Sequence, residues 1–193
     1  MTIRITYDSN NIDLNIGSDG LDIIPMQYNY QERSASGKIE TLNLYNFGEA
    51  ITFDAYFQEA VYRQLIAWHA WAEQGKVFSF AMDTSLTVNT TLDGAAAAAQ
   101  KVIPLTATTG LTVDDVCFIR SADRTKYEIG VINSISAGVS VTMDDNLIYT
   151  YASGDTFRHW HYWPEVVLPA REGFNPRPNG SWYRHTFRFL ENL

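Results

Sequence analysis

The residues of this chain that could do chemistry are few, and their spacing limits what they could do. His159-Trp160-His161 places two imidazoles at i and i+2. In a β-strand these share a face and could grip one metal ion, with His185 as the third ligand. The bland alternative is a pair of histidines at a sheet face or subunit contact. Asp114-Asp115 and Asp144-Asp145 are adjacent pairs whose side chains point to opposite faces of a strand. They would hold Ca²⁺ only with help from loop carbonyls, and they read as solvated turn carboxylates. Cys117 is the one cysteine, so an intrachain disulfide and a four-cysteine zinc site are excluded. Set in Val116-Cys117-Phe118-Ile119, it reads as a small buried hydrophobe with no local histidine base. His69 reads as a helix-surface or boundary residue. Trp160, Trp163 and Trp182 could stack on sugar rings, although burial explains them as well. There is no GxSxG elbow, P-loop, GxGxxG or HExxH. The site residues expected from sequence are therefore none: no catalytic, cofactor-binding or metal-binding set, no cofactor, and not an enzyme.

These side chains need elements to position them. The chain has 193 residues, 46% hydrophobic and 13% aromatic, which excludes a disordered chain and favours a sheet-rich one. Its formal charge of −8 argues against nucleic-acid binding as the main activity. No apolar run reaches the length of a membrane span, and the N-terminus lacks a signal peptide's apolar core. A protein made in the cytoplasm is expected.

Composition divides the chain into three. All five tryptophans lie outside residues 84–157, a stretch rich in Thr, Ala, Val and Asp. An inserted small β-module at 84–157 is expected, within a discontinuous host of 1–83 plus 158–193. In the host, Thr2 to Tyr7 alternates as a strand and Asp8-Ser9-Asn10-Asn11 offers turn chemistry. Ile23 to Tyr30 and Gly37 to Tyr45 read as two strands around the polar turn Glu32 to Gly37. One long helix is expected from about Asp54 to Gln74, because Phe57, Val61, Leu65, Trp68 and Ala72 form a stripe of helical period. Asp54 is its expected N-cap and Gly75 its C-cap. Val77 to Met82 reads as a strand. His159 to Leu168 reads as another, interrupted by Pro164, and a Pro/Gly-rich loop follows to Gly180. In the terminal strand, Trp182, Arg184, Thr186 and Arg188 share one face, and Tyr183, His185, Phe187 and Phe189 the other. Short strands at 101–105, 108–111, 116–120, 127–135, 139–143 and 155–160 give the module the look of a small β-barrel or compact sandwich. The alanine run 95–99 is too short to nucleate a helix and reads as a connector. The fold class expected is mainly β with one long helix (α+β).

The N-terminal hairpin followed by Leu65-Ile66-Ala67-Trp68-His69-Ala70-Trp71-Ala72-Glu73-Gln74-Gly75-Lys76-Val77-Phe78-Ser79-Phe80 resembles minor tail proteins of long-tailed, siphovirus-like bacteriophages, above all the distal tail protein. Residues 105–116, 128–135 and 149–155 resemble a β-module recurring in phage virion proteins, which usually carries Gly-Asp where this chain has Asp114-Asp115. The resemblance implies a split β-barrel or sandwich flanked by an α-helix, with the small β-barrel-like module inserted. It also implies a hexameric ring around the DNA channel that joins the tail tube to the tip or baseplate complex. The implied partners are further copies of the chain, the tail-tube protein, and tip hub and fibre proteins. Sequence-specific nucleic-acid binding and membrane association are not implied, and the place of action would be the virion. A tail-tube or head–tail connector subunit is the alternative within this class. A carbohydrate-binding module for host-surface recognition is the alternative outside it.

Overall fold

The structure is a computed structural model that describes residues 2–33, 39–170 and 172–192, with residues 17–33 and 39–48 described by their backbone alone. The polar turn read at 32–37 falls largely outside the described residues. The chain divides into two compact units, Met1–Phe80 with Glu165–Leu193, and Ala81–Pro164.

The first unit is built on strand alternation. In β1 (Thr2–Tyr7), Ile3 and Ile5 are buried, and in β2 (Asn10–Arg33) so are Ile12 and Leu14. β3 (Ile39–Phe57) buries Ile51, Phe53, Ala55 and Phe57, every second residue, and pairs in register with β13 (Trp182–Glu191). Phe187 and Phe189 of β13 lie opposite Phe53 and Ile51 and point into the same core. β4 (Phe78–Ala81) and β11 (Tyr162–Val167) complete the sheet, in the order β11-β4-β1-β2-β3-β13. β11 pairs back onto β13 through Val166 and Val167, which closes six strands into a barrel. β12 (Arg177–Asn179) adds a short edge beside β13.

The helix is shorter than the sequence pattern suggests. α1 spans Glu59–Ala72, 14 residues, and its N-cap is Gln58. Asp54 belongs to β3, where its carboxylate accepts hydrogen bonds from Arg184 and Thr186 of the neighbouring strand. Phe57 satisfies both periods, four residues before Val61 and two after Ala55; its burial belongs to the strand. Leu65, Trp68 and Ala72 face the core as expected, and Trp68 meets Phe78 and Phe189 edge-on at 5.2 and 5.8 Å. Ile66, next to this stripe, is 47% exposed.

The second unit carries β5 (Asn89–Thr91), β6 (Val102–Pro104), β7 (Val116–Arg120), β8 (Tyr127–Ser136), β9 (Ser140–Met143) and β10 (Thr156–His159). Their order is β5-β10-β7-β8-β9-β6, and the bridge Leu92–Leu105 brings the two edges together. Inside lie Leu105, Cys117, Ile119, Ile132, Val141, Met143 and Phe157. A Cβ at Gly130 would stand 2.6 Å from the Met143 methyl, so a larger residue there would have to move the flexible end of that methionine. Residues 108–111, read as a strand, form a turn region; the alanine run is a connector in which Ala96 bridges Tyr151.

Asp114 has φ 73°, in the left-handed region that favours glycine. Asp114→Gly should raise stability by a few tenths to about 1 kcal/mol, and Asp114→Val should lower it by more. Thermal melts of the three proteins check this; a lower midpoint for Asp114→Gly would refute it.

Candidate functional site

Among the described residues no group of three or more His, Cys, Asp and Glu side chains is placed to hold a metal ion. The same-face His159/His161 pair that a continuous strand would allow does not form. β10 ends at His159, and Trp160-His161 makes the turn into β11. The cause is Arg158, which is fully buried. Its Nη1 donates to the carbonyls of His159, Trp160 and Tyr162 at 3.2, 2.8 and 2.7 Å, and its guanidinium lies 4.3 Å over the Phe118 ring. A cation holding three carbonyls converts an extended reading into a turn. His161 is held neutral by burial and by the Arg158 charge, both lowering its pKa. His185 belongs to the other unit.

His159 enters a different arrangement. Its Nε2 lies 3.0 Å from Asp115 Oδ2, its Nδ1 accepts the Val88 N–H at 3.1 Å, and Cys117 lies opposite it on β7. Thiol, imidazole and carboxylate are the residue types of a nucleophile triad, and the strand register sets the first opposite the second. The geometry forbids that chemistry. Nδ1 is occupied by a backbone donor, so the proton sits on Nε2 and no lone pair remains to act as base. The thiol is fully buried, and burial, with the Asp115 charge, pushes it up to about 12. The Asp115–His159 pair is a structural lock: Asp115 also takes the Thr112 N–H and hydroxyl at 2.6 and 2.9 Å. Asp144 likewise bonds Asn133 at a strand end.

The tryptophans separate. Trp163 is fully buried and unavailable as a sugar platform, and Trp160 is half-buried 5.5 Å from Phe118. Trp182 alone of the three is exposed, at 40%. His69, read as a helix-surface or boundary residue, is buried: its Nε2 donates to the Glu172 carbonyl at 3.0 Å while Phe174 stacks on its ring. Phe174 also meets His185 edge-on at 4.8 Å, and burial, with nearby His69, lowers the His185 pKa to about 4.

Two features of the first unit remain. One is the β2–β3 ribbon. β1 pairs with β2 only as far as Asn15, and β13 pairs with β3 only as far as Ala50. From Pro25–Glu49 to Arg33–Ile39, among the described residues, the two strands pair only with each other, over roughly 25 Å. The other is a polar cleft of about 390 Å³ lined by Asn175, Arg177, Arg184, His185 and Thr186. The sequence pattern placed Arg184 and Thr186 on one face of β13 but left Arg177 in a loop. Only the β12–β13 register, Arg177 opposite Arg184, reveals the pairing. Comparison with protein-family models and with curated proteins finds no match.

Proposed function

We propose that this chain is a structural subunit of a phage tail tip. It assembles through its first unit into a ring, hexameric by the resemblance, that joins the tail tube to the tip complex and surrounds the DNA channel, with no catalytic step. The observation that carries this reading is the β2–β3 ribbon. A two-stranded ribbon is at best marginally stable in water without further strands or a packed face. Backbone edges that no other described strand covers, in a stretch whose sequence holds tyrosines, leucines and a phenylalanine between 26 and 47, suit pairing with neighbouring subunits. The net charge of −8 fits a channel wall that does not grip passing DNA.

Light scattering behind a sizing column, with negative-stain imaging, tests this. The intact chain, alone or mixed with tail tubes, should give rings with a central hole. A variant with residues 26–48 replaced by Asn-Gly should keep its melting transition and lose the rings. A monomeric intact chain under both conditions would overturn the proposal, as would rings that survive loss of the ribbon.

A further inference from the structure

We infer that the cleft between β12 and β13 binds an acidic saccharide, with Arg177 and Arg184 taking the carboxylate or phosphate oxygens and Trp182 offering its face to the sugar ring. The cleft's volume of about 390 Å³ lies within the range of small-molecule sites. Arg177 and Arg184 are direct cross-strand partners, and like charges so placed destabilise a strand pair. Asp54 answers the charge of Arg184. No carboxylate among the described residues pairs with Arg177, so a bound oxyanion would supply the missing charge. Arginine forks match carboxylate and phosphate oxygens in two-point contacts.

The remaining lining is neutral and suited to hydroxyl groups. Asn175 offers an amide, and Thr186, whose hydroxyl donates to Asp54, retains acceptor capacity. Trp182 lies two residues before Arg184, on the same face of β13 and opposite Asn179. Its 40% exposure leaves a flat apolar surface beside the two cations. Of the charged side chains placed here, Arg177 and Arg184 outnumber Asp54, so the cleft carries a local positive excess in an acidic chain. Screening over roughly 8 Å in physiological salt keeps distant carboxylates from cancelling that attraction.

The test uses the full chain and calorimetric titration with glucose 6-phosphate, glucuronate, glucose and inorganic phosphate. Both acidic sugars should bind saturably and quench tryptophan emission, each more tightly than glucose or phosphate by roughly tenfold or more. Arg177→Ala should weaken both acidic sugars by at least roughly tenfold without lowering the melting midpoint, and should lower the salt dependence of binding. Trp182→Ala should weaken them and abolish the quench. Failure of both acidic sugars to saturate in the millimolar range would overturn the inference. So would phosphate binding as tightly as glucose 6-phosphate, or affinities unchanged by both substitutions. Ring formation does not enter these readouts, so loss of this site and loss of the tail-tip reading are separately visible.

Discussion

Replacing Arg158 by methionine should destabilise the Ala81–Pro164 unit by about 3 kcal/mol, a large share of the 5–15 kcal/mol that holds a typical domain folded. Three turn carbonyls lose a common charged donor, and Phe118 loses the cation that lies on its face. Hydrogen bonds from a charged group each contribute about 1.5–3 kcal/mol. Removing a buried charge returns part of that, because the folded state no longer carries its desolvation penalty. Arg158→Lys should recover only part of the loss, since an ammonium's three donors can serve the carbonyls that Nη1 now serves but it lacks the planar face that lies on Phe118. Urea unfolding followed by tryptophan emission reads both variants. A change under about 1 kcal/mol for methionine would show that the turn holds without the guanidinium.

Asp115→Ala should remove about 2–3 kcal/mol from the same unit and flatten its acid unfolding limb. The substitution leaves the Thr112 N–H without its acceptor and the His159 Nε2–H buried without one, in a residue only 1% exposed. Burial alone would push the Asp115 carboxyl up. The Thr112 backbone and hydroxyl donors and the His159 ring outweigh it and hold the group below its ordinary 3.8. The unfolded chain therefore binds the proton first as pH falls. The stabilisation is complete above 3.8 and disappears as pH drops through the folded value. Denaturant midpoints between pH 2 and 7 should lose this acid-dependent component in the alanine variant. An identical slope in both proteins would mean that the carboxylate adds nothing.

How much of this was legible in the sequence depended on whether a signal was local. The alternation of Trp182 to Phe189 gave β13 and both of its faces correctly, because period 2 over eight residues has no competing reading. Asp8-Ser9-Asn10-Asn11 placed the turn but not its length: positive φ at Asp8 and Ser9 makes a two-residue turn, and Asn10 and Asn11 already pair with Tyr7 and Thr6. Asp54 to Phe57 misled for a different reason, since the helical stripe could be extended backward through Phe57 without conflict. The closure of β11 onto β13 joins residues some two dozen apart, and no local pattern encodes that choice. The cleft was out of reach in the same way. Arg177 meets Arg184 only through the register set across Gly180, whose φ of 63° makes the reversal. The Asp115–His159 lock spans 44 residues and carries no motif at all.

β4 and β11 are neighbours in one sheet, so the chain leaves that sheet and re-enters it at adjacent strands. To the barrel, everything between them is a single excursion, and the entropy of closing an excursion grows only logarithmically with its length. Evolution can treat such a segment as a cassette. A longer, shorter or unrelated module could be exchanged at this point by recombination, while the barrel kept the same strand order and the same core phenylalanines.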